Sequence, residues 1–200
     1  MKHIPNILSS LRIILAPIFL VMYVQDELIW RSLSIAVFAT AAVTDYFDGK
    51  IARRYNLESN LGIFLDPLAD KFLTFAGFLC LPFLDASQFP WWAVSIIVIR
   101  DVGVTFLRLY TSKKDITLET RFTAKFKTMV QMIFLYAVIL LGVFIEADIE
   151  FADDAAQFFD SGFLFYVMMF VTAITVYSGL EYLWVNRKIL GDQQQNDGSN

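Results

Sequence analysis

Apolar side chains run through this 200-residue chain in long segments, separated by short polar ones. Residues 128–145 and 161–180 carry no charged side chain, and residues 13–25 are also uncharged. A helix of about 20 apolar residues crosses the roughly 30 Å hydrocarbon core of a bilayer. Shorter uncharged segments continue into helix-compatible sequence: 32–44, 72–84 and 86–99. The pattern therefore predicts six membrane-spanning helices, at about 5–25, 31–54, 60–84, 90–110, 122–146 and 159–184.

The sequence between and beyond these spans completes the predicted fold class. Pro82, Pro90 and the intervening Asp-Ala-Ser-Gln turn separate the third span from the fourth. Residues 146–160 are predicted to be an acidic loop of short helix or irregular structure. We predict an all-α integral membrane protein with six transmembrane helices and an N-terminal interfacial segment, in one domain over 1–190. The polar residues 191–200 are predicted to be a disordered cytoplasmic tail.

Composition agrees with a membrane protein. Hydrophobic residues make up 57% of the chain, against about 45–50% in soluble domains. Cys80 is the only cysteine and lies in an apolar segment. It has no partner for an intrachain disulfide, so we interpret it as a buried, inert thiol.

The lysines and arginines near the span ends indicate the orientation. When the spans alternate in direction, all of these cations except Arg31 fall on one side. Asp26, Glu27, Asp85 and the acidic segment 146–160 fall on the other side. Because cytoplasmic loops are enriched in lysine and arginine, the basic side is predicted to be cytoplasmic. The chain is therefore expected in the inner (cytoplasmic) membrane as a multi-pass protein.

Four aspartates interrupt the apolar pattern: Asp45, Asp48, Asp66 and Asp70. Asp45 follows one apolar segment and Asp70 precedes the next, on helices predicted to be antiparallel. At about 1.5 Å per residue, both acids reach a similar depth near the cytoplasmic surface. We therefore expect the four carboxylates to share one thin layer of the membrane.

Helical spacing divides these acids between two stripes. Each stripe combines acids with small residues: Asp45, Asp48, Gly49 and Ala52 in one, and Gly62, Asp66 and Asp70 in the other. Ionised carboxylates are costly at membrane depth unless they are paired or bind metal. Ion pairs with Arg53, Arg54 or Lys71 are one explanation, but four acids in matched stripes favour a pair of divalent cations. Hard oxygen ligands suit Mg²⁺ or Mn²⁺.

The same residues resemble the signature of a known enzyme family. They spell D-x2-D-G-x2-A-R-x8-G-x3-D-x3-D between Asp45 and Asp70. This is similar to the motif of the CDP-alcohol phosphotransferases, membrane enzymes with six transmembrane helices. Further segments resemble the bacterial phosphatidylglycerophosphate synthase branch: IPNILSSLRIILAPIF, IRDVGVTFLRLY, KFKTMVQM and YSGLEYLW. The chain departs from that branch at Asp101, where glutamate is usual, and at Ala124, where glycine is usual.

The resemblance implies a transfer reaction and a set of site residues. An acceptor hydroxyl would attack the β-phosphorus of CDP-diacylglycerol, and CMP would leave. Asp45, Asp48, Asp66 and Asp70 would hold the two cations, and Asp70 would be the general base or would position the hydroxyl. The resemblance also implies that Asp45 contacts the donor, together with four further residues: Gly49, Ala52, Arg53 and Ser59.

The resemblance also implies the acceptor, glycerol 3-phosphate, whose phosphate requires a cationic pocket. Arg108, Lys125 and Lys127 lie at the cytoplasmic ends of the fourth and fifth spans, and we expect them to form it. Each could instead be an ordinary membrane anchor. Arg100 lies within a span and needs a partner, for which Asp101 or Glu181 is available. Relatives are commonly homodimers, so a homodimer is expected, whereas no nucleic-acid partner is.

The sequence leaves two alternatives open. The same chemistry could serve another acceptor, such as serine, an inositol phosphate or phosphatidylglycerol. A cation transporter would use the acids differently, distributing them across the membrane depth. The clustering of all four on one side argues against a transporter.

Overall fold

The regular structure of the described chain is entirely helical. The computed structural model describes residues 4–25, 27, 29–41, 60–112, 118–119, 121–146 and 152–197, and no strand occurs in these ranges. Their helices are α1 (Ile4–Tyr23), α2 (Ile29–Ala41), α3 (Asn60–Leu84), α4 (Trp91–Ser112), α5 (Phe122–Glu146), α6 (Ala152–Asp160) and α7 (Phe163–Asp197). The all-α class predicted from the sequence is confirmed for this part of the chain.

Within the described ranges, two helices contain an apolar segment long enough to cross a bilayer. These segments are Phe122–Gly142 in α5 and Phe163–Arg187 in α7. In α1, α2 and α3 the apolar segments are shorter: Ser10–Tyr23, Ile29–Ala41 and Lys71–Leu84. Charged residues interrupt the apolar sequence of α4 in particular, at Arg100, Asp101 and Arg108. The six-span arrangement therefore stays a prediction.

Large apolar side chains also cover much of the outer surface. Ile99, Phe122 and Tyr166 are each at least 70% exposed, and many other aromatic and aliphatic side chains accompany them. Soluble monomers rarely expose apolar patches of this extent. A surrounding bilayer would cover such a surface without cost, which agrees with a membrane protein.

Helix α3 lies at the centre of the packing. It packs against α1, α4 and α5, while α7 packs against α4 and α5. The close approach of α3 and α5 depends on Gly77, because a Cβ atom there would lie 2.6 Å from Leu135 Cδ2. Leu135 is fully buried, as are Phe78 and Cys80 on α3. The interpretation of Cys80 as a buried free thiol is confirmed.

A hydrogen-bonded turn joins α3 to α4 and holds α6. The Ser87 amide and hydroxyl donate to Asp85 Oδ1 at 2.8 and 2.6 Å. The Gln88 side-chain amide donates to the Phe159 carbonyl of α6 at 2.6 Å. These hydrogen bonds lower the pKa of Asp85, although its partial burial acts in the opposite direction. The predicted turn is thus confirmed, and the acidic segment includes a short helix that is docked against it.

At the opposite end, α7 holds the connection between α4 and α5. Asn186 is fully buried and its side chain both accepts from the Glu119 amide at 3.0 Å and donates to the Glu119 carbonyl at 3.3 Å. Helix α7 then continues to Asp197. Residues 191–197 are thus helical, and the glutamines there are compatible with a helix that is already formed. The disorder predicted for 191–200 and the division into domains stay predictions.

Candidate active site

The structure places part of the acidic motif on one helix. Gly62, Asp66 and Asp70 all belong to α3, with the four-residue spacing that the sequence predicted for one stripe. The side chains of residues 60–70 are not among the described parts. The other motif residues lie outside the described residues altogether: Asp45, Asp48, Gly49, Ala52, Arg53 and Ser59. The two-stripe arrangement therefore stays a prediction.

A cavity of about 430 Å³ opens between α3, α4 and α5, and Lys71, the residue after Asp70 in the chain, lines it. All three residues predicted to bind the acceptor's phosphate line it, namely Arg108, Lys125 and Lys127. The cavity is also lined by Lys71, Arg100 and Asp101, together with Thr105 and Thr128. Residues from three different helices thus converge on one concave site, as expected for a ligand pocket.

Asp101 is the centre of a buried ionic cluster in the floor of this cavity. Its Oδ1 atom accepts a hydrogen bond from Lys127 Nζ at 2.5 Å and another from Arg100 Nη1 at 3.0 Å. Its Oδ2 atom lies 3.7 Å from Lys71 Nζ. The side chains of Asp101 and Lys127 are each only 1% exposed. A single carboxylate therefore holds cations from α3, α4 and α5.

The three predicted phosphate ligands differ in their surroundings. Arg108 and Lys125 are exposed at the rim, and the Arg108 guanidinium lies over the Tyr182 ring, 5.9 Å from its centroid. Lys127 is buried in the floor and paired with Asp101. The rim cations can meet an anion from the solvent side, whereas Lys127 can meet it only from the floor, with the ammonium hydrogens that Asp101 does not accept.

Helix α7 supports the cluster from behind. Arg100 Nη2 donates to the Ser178 hydroxyl at 3.1 Å. Gly179 lies against the Arg100 side chain, since a Cβ atom there would be 3.0 Å from Arg100 Cγ. Of the two acids available to Arg100, Asp101 is thus the partner, while Glu181 pairs with Arg121 at 3.8 Å.

The residue pattern alone does not assign Lys71, Arg100 or Asp101 to the site. From the sequence, Lys71 is predicted as a structural partner of the motif aspartates, and a structural role is predicted for Arg100. The available signal was a lysine directly after Asp70 and an Arg-Asp pair inside an apolar helix. An ionisable residue at membrane depth marks a functional site by default. Their meeting at one cavity depends on helix packing, which spacing alone does not specify.

Comparison with known proteins agrees with the motif. The sequence model described as CDP-alcohol phosphatidyltransferase matches residues 2–177. The chain belongs to this family. The matched range of the CDP-alcohol phosphatidyltransferase family includes the whole motif from Asp45 to Asp70 and every residue that lines the cavity.

Individual relatives carry more specific names. The chain is 34% identical over 203 residues to the CDP-diacylglycerol–glycerol-3-phosphate 3-phosphatidyltransferase of Bacillus subtilis (strain 168), covering 95% of this chain and 98% of that protein. It is 30% identical to the protein of the same name from Rickettsia typhi, covering 89% and 95%. It is 36% identical to a probable phosphatidylglycerophosphate synthase of Mycobacterium tuberculosis (strain CDC 1551 / Oshkosh), covering 66% of this chain and 63% of that protein's length.

The two departures from the synthase branch meet at the cavity. Asp101 lies in its floor and Ala124 lines its wall on α5. Aspartate is one methylene shorter than the usual glutamate, and alanine is one methyl group larger than the usual glycine. Both of these departures therefore lie where the acceptor is expected, which makes the acceptor the property that most needs measurement.

Proposed function

We propose that this protein transfers a phosphatidyl group from CDP-diacylglycerol to glycerol 3-phosphate, releasing CMP, as a CDP-diacylglycerol–glycerol-3-phosphate 3-phosphatidyltransferase of phospholipid biosynthesis. Membership of the CDP-alcohol phosphatidyltransferase family supports CDP-diacylglycerol as the donor and cleavage of the bond between its β-phosphorus and the leaving CMP. The observation that carries the acceptor is the cavity that Arg108, Lys125 and Lys127 line together. Relatives named for this same transfer match nearly the whole chain.

The charge of the cavity favours a phosphate-bearing acceptor. Lys71, Arg100, Arg108, Lys125 and Lys127 contribute five formal positive charges to its lining. Asp101 is the only carboxylate among the lining residues that the structure describes. Arginine and lysine side chains form strong charge-assisted hydrogen bonds with phosphate oxygens. A phosphate monoester, a dianion near neutral pH, would be attracted to these cations more strongly than serine or another zwitterion.

The acidic motif fits a pair of divalent cations. Asp66 and Asp70 lie one turn apart on α3, and with Asp45 and Asp48 they make an all-carboxylate donor set of the kind that Mg²⁺ and Mn²⁺ prefer. Such ions stabilise negative charge on a pyrophosphate and on its leaving group. We assign Asp45, Asp48, Asp66 and Asp70 as the residues that would hold them.

Further residues of the motif bind CDP-diacylglycerol, and one of them accepts or directs the proton of the acceptor's hydroxyl group. Gly49 and Ala52 leave space for the cytidine, and Arg53 and Ser59 contact the donor, according to the motif. A bond forms between the acceptor's hydroxyl oxygen and the β-phosphorus, while the bond from that phosphorus to the oxygen of the leaving CMP breaks. Asp70 accepts or directs the hydroxyl proton. Residues after Asp70 on α3 then lead directly to the acceptor cavity, because Lys71 lines it.

The distribution of charge supports a cytoplasmic site in the inner membrane. Arg108, Arg121, Lys125 and Arg187 lie where α4 ends, α5 begins and α7 approaches its end. Asp153 and Asp154 occupy the first turn of α6, at the opposite end of α5. By the positive-inside rule, the cavity's rim faces the cytoplasm. A homodimer remains a prediction, which mass measurement of the purified protein checks.

The deciding experiment measures CMP release by purified protein from CDP-diacylglycerol with a panel of acceptors. We expect glycerol 3-phosphate to give the highest kcat/KM, with serine, phosphatidylglycerol and an inositol phosphate well below it. A preference for one of the other alcohols would refute the assigned acceptor but retain the family chemistry. Absence of CMP release with every acceptor would refute the transferase function.

Rim and floor cations are expected to control the affinity for the acceptor. A hydrogen bond to a charged group contributes about 1.5–3 kcal/mol, which corresponds to about a 10- to 150-fold change in affinity. Arg108→Gln or Lys127→Gln should therefore raise the KM for glycerol 3-phosphate by about that factor and leave the KM for CDP-diacylglycerol nearly unchanged.

Arg121→Gln is the matched control for these two variants. Arg121 is an exposed cation at the same end of α5, but it pairs with Glu181 and does not line the cavity. Its substitution should leave both KM values unchanged. If Arg108→Gln and Lys127→Gln behaved like this control, the cavity would not be the acceptor site.

A further inference from the structure

The contact between Asp101 and Lys127 keeps the ammonium group of a flexible lysine side chain in one place. Lys127 is attached by a four-carbon stem with several rotatable bonds, so the backbone alone does not determine where its ammonium group lies. In the structure that group is 2.5 Å from Asp101 Oδ1 and almost completely buried. An ammonium group has three donors, so the contact with Asp101 leaves others for a ligand.

Asp101 is itself held by a chain of contacts that ends on another helix. Arg100 donates to Asp101 through Nη1 and to the Ser178 hydroxyl through Nη2. The Ser178 hydroxyl in turn donates to the Thr175 carbonyl at 3.0 Å. The position of the Lys127 ammonium is thereby connected, through Asp101 and Arg100, to the backbone of α7.

We propose that Asp101 is a positioning residue of the acceptor cavity, which sets the place of the Lys127 ammonium and through it the distance between the acceptor's phosphate and the aspartates of α3. This inference rests on the proposed function, because it requires the acceptor to occupy this cavity. It assigns to Asp101 an effect on turnover that simple neutralisation of buried charge would not produce.

The proposal predicts different kinetic defects for the two partners. Asp101→Asn keeps every cation of the cavity but removes the anion between them, so repulsion displaces the Lys127 ammonium. The acceptor is then still bound but misplaced, and small misplacements in an active site lower turnover by about 10- to 100-fold. We expect the loss in Asp101→Asn mainly in kcat and the loss in Lys127→Gln mainly in the KM for glycerol 3-phosphate.

A double-variant cycle tests whether Asp101 acts through Lys127. Residues that act as one unit give non-additive losses. We expect Asp101→Asn and Lys127→Gln each to lower kcat/KM for glycerol 3-phosphate by about 10-fold or more. The double variant should be no more than about threefold worse than the poorer single variant. If the loss of kcat/KM in the double variant equalled the product of the two single losses, the proposal would be overturned. An Asp101→Asn variant with wild-type kinetics would overturn it as well.

Two further variants keep the test informative if Asp101→Asn does not fold. Asp101→Glu preserves the charge and should retain most of the activity. Ser178→Ala releases Arg100 without removing any charge and should lower kcat by about fivefold, the equivalent of one hydrogen bond. Thr172→Ala is the control, because it removes a buried hydroxyl on α7 that donates to the Met168 carbonyl and does not line the cavity. Equal kinetics for Ser178→Ala and Thr172→Ala would overturn the proposal.

The wild-type protein separates failure of this inference from failure of the proposed function. If it does not transfer to glycerol 3-phosphate, the proposed function is refuted and the inference falls with it. If it does transfer, but Asp101→Asn has wild-type kinetics or Ser178→Ala matches its control, only the inference is refuted.

Discussion

Removing divalent cations, or replacing Asp66 with Asn, is expected to abolish CMP release while the protein remains folded in the membrane. The substitution is nearly isosteric and removes one of the four negative charges assigned to the cation pair, so it weakens metal binding rather than helix packing. Cations that stabilise charge on the pyrophosphate and on the leaving CMP supply much of the catalysis in phosphoryl transfer. The measurement is CMP release with and without excess chelator, followed by addition of Mg²⁺ or Mn²⁺.

Asp154→Asn provides the matched control for Asp66→Asn. Asp154 is an exposed acid in the first turn of α6, at the opposite end of the bundle. Its loss should not change the cation dependence or turnover. Full activity of wild-type protein in excess chelator would contradict the metal assignment, and so would an Asp66→Asn variant that turns over normally.

Replacement of Asp70 with Asn is expected to lower kcat by about 10²–10⁴-fold, the usual range for loss of a general base. The affinity for CDP-diacylglycerol should stay close to the wild-type value if the principal role of Asp70 is to accept the proton. A nearby cation favours the charged form of a carboxylate and makes it a weaker base, so positioning of the hydroxyl can account for part of the effect. The measurements are the single-turnover rate of CMP release and the dissociation constant of CDP-diacylglycerol, each for the wild-type protein and for Asp70→Asn.

Asp66→Asn serves as the reference for this second experiment. We expect donor affinity to fall in Asp66→Asn, because the diphosphate binds through the cations, and to be retained in Asp70→Asn. A collapse of donor affinity in both variants would show that Asp70 is chiefly a metal ligand. A wild-type rate for Asp70→Asn would exclude both roles.

The local pattern of apolar and polar residues was sufficient to predict most helices of the described chain. Predicted spans at 60–84 and 122–146 coincide with α3 and α5, because in each an uninterrupted run of helix-compatible residues ends at a turn or charged segment. The predicted span at 159–184 matches α7 less closely, because α6 ends at Asp160 and α7 runs from Phe163 to Asp197. The uncharged residues 161–180 mark the apolar part of α7, but a helix whose turns are already formed can continue through polar residues.

Residue type and spacing along single helices were enough to predict the acidic motif, its family and the three cations proposed for the acceptor. That Lys71, Arg100 and Asp101 share one cavity with Arg108, Lys125 and Lys127 became evident from the packing of the helices. These residues come from α3, α4 and α5, and their meeting depends on close contacts such as that of Gly77 with Leu135. Helical periodicity specifies which residues share a face, but packing between helices specifies which faces meet.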